Sequence, residues 1–233
     1  MFKIIAQHFV EQYSFLNLFN FITFRVGASI LTALFFSLIF GQYLINKISQ
    51  IQPIGQPIRN DGPETHIIQK AGTPTMGGLL IILSVVISLI LWSDLQNTFV
   101  WIGFLALIFF GFIGFVDDYN KIRSNSSNGL KARTRIVLQI FFALMISILV
   151  INNLDDHINT TISFPFFKNL IVNFGYFYLI ISLFIIVGSA NAVNLTDGLD
   201  GLAIVPVMIV AMTFAFIAYV SGNIVFSDYL LIN

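Results

Sequence analysis

The chain is predicted to be an all-α, polytopic transmembrane helix bundle of about six spans with its N-terminus outside. Composition is the first ground. The sequence is 57% hydrophobic and 9% charged, with a mean hydropathy of +0.90, whereas soluble domains run at about 45–50% apolar and about 25% charged. Periodicity is the second. Six apolar stretches, 21–45, 76–92, 99–116, 136–151, 170–189 and 202–220, approach or reach the roughly 17–25 residues that cross a bilayer as a helix. Backbone in lipid must satisfy its own hydrogen bonds, which makes helices the default. A β-barrel would need alternating segments of about 10 residues, and these runs do not alternate. The distribution of Lys and Arg is the third ground, and it sets the orientation.

Each span follows from its residues. The first, 21–45, is preceded by Lys3, Glu11 and scattered polar residues with no small-residue cleavage site, so it is expected to remain in the mature protein. The second opens on Thr73 and Pro74, which suit an N-cap and a first helical position. The third ends at Asp117 and Asp118. The fourth is short and must borrow flanking residues. The fifth, ending near Ser189, and the sixth, starting at Leu202, flank a polar stretch. The loop after span 1 holds Lys47, Arg59 and Lys70, and the loop after span 3 holds Lys121, Arg123, Lys131, Arg133 and Arg135. The loop after span 2 has no Lys or Arg, and the loop after span 4 has only Lys168. Short cytoplasmic loops carry the positive excess, so the odd-numbered loops are expected in the cytoplasm. No internal repeat is visible, and 1–233 is read as one integral membrane domain. Zero net charge gives no general pull on nucleic acid. The absence of cysteine excludes disulfides and thiolate metal sites.

Three polar clusters then fall on one membrane face. The sharpest is Asn191-Ala-Val-Asn-Leu-Thr-Asp-Gly-Leu-Asp-Gly201, two carboxylates and two carboxamides between apolar runs. Charges beside hydrocarbon cost several kcal/mol unless they face water, a partner or a ligand. The second runs from Lys70 through Thr75 to Gly78, where a helix N-terminus with an upstream lysine attracts anions. The third is Asp117-Asp118-Tyr119 with Lys121. Adjacent acids repel, and at a helix C-terminus they oppose the macrodipole unless a cation relieves them. Mg²⁺ commonly binds one or two carboxylates plus substrate phosphates. Plainer readings exist for each: a snorkelling lysine on a capped helix, acids marking a helix end in water, a hydrophilic loop whose Asp197 or Asp200 caps span 6. His8, His66 and His157 have no metal-site spacing and read as ordinary loop or tail histidines. Together the clusters suit a phosphorylated substrate with Mg²⁺, because phosphoryl transfer needs positioning and charge neutralisation above all.

These motifs, 70–78, Asp117-Asp118-Tyr119 with Lys121, Gly129-Leu130 and 191–203, resemble in order and spacing the bacterial phospho-N-acetylmuramoyl-pentapeptide-transferase family, within the polyprenyl-phosphate N-acetylhexosamine-1-phosphate transferases. The resemblance covers essentially the whole chain. It implies Mg²⁺-dependent transfer of phospho-MurNAc-pentapeptide from its UDP carrier to undecaprenyl phosphate, giving lipid I and UMP, at the cytoplasmic face of the bacterial inner membrane. It also implies roles. Asp117 and Asp118 resemble the acceptor-side acids, one of them the family's proposed base. Lys70 and Thr75 resemble contacts to the nucleotide substrate, with Lys121 beside the acids as a further substrate contact. Asn191, Asn194, Asp197 and Asp200 resemble the nucleotide and metal-proximal loop, and a homodimer is compatible with the resemblance. Two departures stand out. The family usually has about ten spans, with a later aspartate motif and a histidine-rich loop that would lie beyond Asn233, so this chain is expected to be a six-span portion that does not make lipid I alone. Arg135 stands where the family pattern has a lysine. The alternatives are a sibling GlcNAc-1-phosphate transferase, a membrane transporter, or an inactive fragment. Transporters often show repeats and midplane polar sites, whereas these acids lie at helix ends.

Overall fold

The computed structural model describes residues 1–52, 55, 73–124, 129–164, 167, 170–197 and 201–230. Their elements in chain order are α1 (Phe2–Phe9), a 3₁₀ helix (Ser14–Asn20), α2 (Ile22–Ile51), α3 (Gly78–Trp92), α4 (Thr98–Ser124), α5 (Ala132–Asn153), strands β1 (Thr161–Ser163) and β2 (Ile171–Asn173), α6 (Phe177–Thr196), α7 (Ile204–Ser221) and α8 (Ile224–Leu230). Among the described residues, α2, α4, α5, α6 and α7 are long and apolar enough to cross a membrane, and α3 is a shorter apolar helix of 15 residues. The helical membrane bundle expected from hydropathy is therefore what the chain forms. The residues fall into two compact units, Met1–Ser182 and Leu183–Asn233.

In the first unit α2 packs on α3, α3 on α4, and α4 on α5. Neighbours run antiparallel. Thr32, near the start of α2, accepts a hydrogen bond from the Trp92 indole at the end of α3 (2.8 Å). Phe109 and Phe142 stack between α4 and α5 with ring centres 4.4 Å apart. The packed faces carry small and polar residues: Ser84, Ser88, Ala143 and Ser147 are buried. Without a hydrophobic force between helices in lipid, close approach and interhelical hydrogen bonds hold the bundle together. Ser84 and Ser88 satisfy their hydroxyls on carbonyls one turn back (2.7 and 2.8 Å), and Ser182 bridges to Ser147 (2.9 Å). Large apolar side chains such as Leu38, Ile39 and Phe141 point outward, which suits hydrocarbon.

Several boundaries differ from the sequence reading. The polar N-terminal tail folds into α1 and a 3₁₀ turn. Phe2 and Phe19 pack on Trp92, the Phe19 ring lying parallel to it at 5.8 Å, and Lys3 pairs with Asp94. Lys3 holds the Asp94 carboxyl below the ordinary range against partial burial, helped by the Gln96 N–H and by Arg25. The segment expected to open the fifth span at 170 is instead strand β2, paired antiparallel with β1 (Ile162 opposite Val172). β-Branched residues favour the pairing, and Gly175, at φ +50, turns the chain into α6.

The second unit contains the end of α6, then α7 and α8. The α6 helix does not stop near Ser189. It continues to Thr196, with the Asn191 amide donating to the Val187 carbonyl and the Thr196 hydroxyl to the Ala192 carbonyl (both 2.8 Å). Asn223 caps α8, its side-chain oxygen accepting from Val225 N–H at 3.0 Å.

Candidate active site

The paired acids sit inside α4 rather than at its C-terminus, because the helix continues to Ser124, about two turns further. Opposition to the macrodipole is therefore not what they must relieve. Mutual repulsion is, and the helical spacing supplies the answer. Lys121 is three residues from Asp118 and four from Asp117, distances that place side chains on one face. Its ammonium lies 2.6 Å from Asp117 Oδ2 and 3.0 Å from Asp118 Oδ1. The two carboxylates then divide. Asp117 is buried, and its Oδ1 accepts from Arg135 Nη2 at 2.7 Å and from the Leu130 N–H at 2.8 Å. Gly129 lies so close that an added Cβ would overlap this carboxylate. Asp118 is more exposed, 28% of its side chain against 12% for Asp117. Its Oδ2 accepts from the Thr75 hydroxyl at 3.1 Å.

Thr75 is itself held. Its N–H donates to Gln52 Oε1 at 2.9 Å, and Gln52, the C-cap residue just after α2, is buried. Thr73 and Pro74 do not cap the next helix. They lie outside α3, which begins at Gly78 with Gly77 in the cap position, because Met76 adopts φ 73 and breaks the helical path. Gln52, Thr75, Asp118, Lys121, Asp117 and Arg135 thus form one continuous polar chain from the end of α2 to the start of α5. Two acids and two cations cancel, so the chain is electrically balanced, with exposed Lys131 and Arg133 beside it.

Of the residues singled out in the sequence, the structure joins Thr75, Asp117, Asp118 and Lys121. Asn191, Asn194 and Asp197 are in the second unit, Asn191 and Asn194 on the last turns of α6 and Asp197 just past its end, where its N–H still donates to the Val193 carbonyl (3.1 Å). Lys70 and Asp200 lie outside the described residues. Gln52 is new, whereas Gly129-Leu130 belongs to the resembling motifs and the structure sets the Leu130 N–H on Asp117. Nothing in the sequence marks Gln52. The Asp117 to Lys121 spacing was readable, and Arg135, first noticed as a departure, proves to bond Asp117.

Among the described residues no three acid or histidine side chains gather as a metal cage. A carboxylate offers about four acceptor positions. Asp117 Oδ1 already takes two donors and Oδ2 takes Lys121. Asp118 takes one donor on each oxygen and keeps acceptor capacity on an exposed side. One such carboxylate, with phosphate and water oxygens, is a usual set for Mg²⁺, so Asp118 is the member of the pair that fits the ion.

The fold and site define a multi-span helical membrane protein with a balanced acid and cation cluster at one end of the bundle. The chain belongs to glycosyl transferase family 4, whose model matches residues 100–232. Residues 70–82, which contain Thr75, match signature 1 of the phospho-N-acetylmuramoyl-pentapeptide-transferases. The chain is 49% identical over 231 residues to the phospho-N-acetylmuramoyl-pentapeptide-transferase of Pelagibacter ubique (strain HTCC1062), covering 99% of this chain and 63% of that protein. It is 50% identical over 214 residues to the protein of the same name from Rickettsia felis (strain ATCC VR-1525 / URRWXCal2), covering 92% of this chain and 59% of that one. The chain therefore spans about three-fifths of the length of these curated relatives.

Proposed function

We propose that this chain carries part of the active site of an enzyme that transfers phospho-MurNAc-pentapeptide from UDP to undecaprenyl phosphate, forming lipid I and UMP. The observation that carries the reading is the hydrogen bond between Thr75, inside the signature stretch, and Asp118, inside the family match. It joins two motifs 43 residues apart. In the reaction an oxygen of the lipid phosphate attacks the phosphorus bonded to the sugar. The bond from that phosphorus to the bridging oxygen of the UMP moiety breaks, and UMP leaves with both electrons. A phosphate monoester has a second pKa of about 6, so the acceptor is mostly ionised at pH 7 and needs alignment more than deprotonation. In this reading Asp118 faces substrate, Asp117 holds Lys121 and Arg135 in place, and Lys121 moves its charge toward phosphate oxygens as they arrive. Lys70 and Thr75 contact the nucleotide substrate, and Asn191, Asn194, Asp197 and Asp200 belong to nucleotide recognition. Mg²⁺, when bound at Asp118, would neutralise phosphate charge. The signature match supports the muramoyl substrate over a sibling GlcNAc-1-phosphate transferase.

The same reading puts the N-terminus outside and the Asp117 cluster at the cytoplasmic face of the bacterial inner membrane, on the strength of the Lys and Arg asymmetry. The test uses the chain extended with the C-terminal segment of the Pelagibacter relative, reconstituted with Mg²⁺, undecaprenyl phosphate and labelled UDP-MurNAc-pentapeptide. Labelled lipid and UMP in equal amounts are expected, with Asp118→Asn reducing turnover by orders of magnitude. An active extended chain whose turnover survives Asp118→Asn would remove the role of this cluster. Activity on the GlcNAc analogue alone would transfer the protein to the sibling reaction.

A further inference from the structure

At the other end of the first unit lies a cleft that the proposed transfer reaction does not use. Its cavity measures about 500 Å³, between the start of α2, the end of α3 and the start of α4. Arg25 stands in it. Among the described residues the guanidinium makes one long hydrogen bond, Nη1 to the Trp92 carbonyl at 3.4 Å. Its Nε is buried and has no partner among the described residues. The Asp94 carboxylate also lines the cleft; it is paired with Lys3 and acts on Arg25 as well, so two cations share one acid and the cleft keeps an excess of positive charge. Ser29, Ser93 and Asn97 add neutral hydrogen-bonding groups to the lining, while Val26, Ile30 and Val100 make one side apolar. Ile30 is 63% exposed, so that side continues onto the outer surface of α2.

The depth of the cleft follows from helix geometry. Arg25 and Gln52 are separated by essentially the whole of α2, about 40 Å at about 1.5 Å per residue. Val100 and Asp117 are separated by about 26 Å along α4 on the same rise. A hydrocarbon core is about 30 Å thick. With the Asp117 cluster at one headgroup layer, Arg25 lies at the other. A guanidinium offers a fork of N–H donors that matches the oxygens of a phosphate.

We propose that the Arg25 cleft binds the phosphate of an anionic membrane phospholipid in the leaflet opposite the Asp117 cluster, with one acyl chain along Val26, Ile30 and Val100. The excess of Arg25 and Lys3 over the single acid Asp94 selects the net negative headgroup. The apolar wall that opens toward hydrocarbon selects a lipid over a soluble phosphate ester. Bound there, the lipid ties the starts of α2 and α4 to the end of α3.

The experiment is native mass spectrometry of the purified, delipidated chain titrated with phosphatidylglycerol, phosphatidylcholine or glycerophosphoglycerol. One phosphatidylglycerol should survive collisional activation on the wild-type chain at about tenfold lower lipid concentration than phosphatidylcholine. Arg25→Gln should abolish that preference, and Arg25→Lys should recover part of it by restoring charge without the fork. Val100→Trp, which fills the cleft and leaves Arg25 intact, should also remove the retained lipid, and it decides the matter if Arg25→Gln lacks native helicity. Equal retention of phosphatidylglycerol by the wild type and Val100→Trp would overturn the site. Displacement of the lipid by glycerophosphoglycerol at equal concentration would overturn the assignment to a lipid. None of these readouts depends on transferase activity.

Discussion

Asp117→Asn and Asp118→Asn remove the same charge from neighbouring positions, and the structure expects them to differ in kind. Asn at 117 keeps one carbonyl oxygen, which can still accept from Arg135 or the Leu130 N–H. Its amide nitrogen then faces the Lys121 ammonium, 2.6 Å from the present oxygen, donor against donor. Two charge-assisted contacts are weakened in a buried place, where removing one partner leaves the others poorly satisfied. The loss should be about 2–4 kcal/mol. For a chain of this length about 1 kcal/mol corresponds to roughly 2–4 °C, so Asp117→Asn should unfold about 5–15 °C below the wild type. Asn at 118 leaves Lys121 its closer partner, Asp117, and can still accept from Thr75. Its pair is partly exposed, and such pairs contribute about 0–1 kcal/mol, so its shift should stay within about 4 °C. The assay is thermal unfolding in one detergent at one pH, followed by circular dichroism, with substrate turnover measured in the extended chain. Turnover should fall in both variants and stability chiefly in Asp117→Asn. Equal thermal shifts, or a larger one for Asp118→Asn, would refute the division between a holding acid and a substrate-facing acid.

Gly129→Ala places a methyl group against the Asp117 carboxylate and should reproduce most of the Asp117→Asn thermal shift without changing any charge. An unchanged melting curve would mean that the segment moves aside freely. Cysteines introduced at Ser49 and Ser124 should resist an impermeant external thiol reagent in intact cells, because both sit beside loops rich in Lys and Arg; ready labelling at both would invert the orientation. The Lys3 pairing depresses the Asp94 pKa. Its stabilising contribution is therefore present above the ordinary carboxyl range and lost as pH falls through the depressed value. In a Trp101→Phe background, Trp92 emission should change on acidification below about pH 4 as α1 loosens, and Asp94→Asn should abolish that dependence. A transition of the same size in Asp94→Asn would assign it elsewhere.

Hydropathy located the helices because lipid leaves little choice of backbone, but it could not find their ends. The α4 helix passes Asp117 by about two turns because Lys121 and the carboxylates support each other along one face. The α6 helix passes Ser189 because Asn191 and Thr196 return hydrogen bonds to carbonyls one turn back. Neither extension raises hydropathy. The tail folded as α1 because Phe2 and Lys3 find Trp92 and Asp94, contacts that span some 90 positions and leave no local trace. At the site, the composition of each cluster was legible, as was the Lys121 spacing. The bond from Thr75 to Asp118 was not, since it depends on how α3 seats beside α4. Gln52 is an ordinary residue in the sequence and becomes informative only through its burial.

Gln52 matters because the turn before α3 is not helical. Thr73 to Gly77 runs beside the end of α2 and beside Asp118 of α4, to both of which Thr75 is bonded. A backbone N–H that is partly buried outside a helix needs a partner from the protein. The Gln52 amide oxygen meets that need for Thr75 N–H, and the same bond fixes the hydroxyl that reaches Asp118. Gln52→Leu should leave a part-buried N–H unpaired, at about 1 kcal/mol, and loosen Thr75 from Asp118. Gln52→Glu retains an acceptor and should preserve the turn. In the extended chain the leucine variant should lose affinity for the UDP substrate while keeping its helical content, and the glutamate variant should retain most of it. Equal substrate affinity in the leucine variant and the wild type would show that Thr75 is positioned without Gln52.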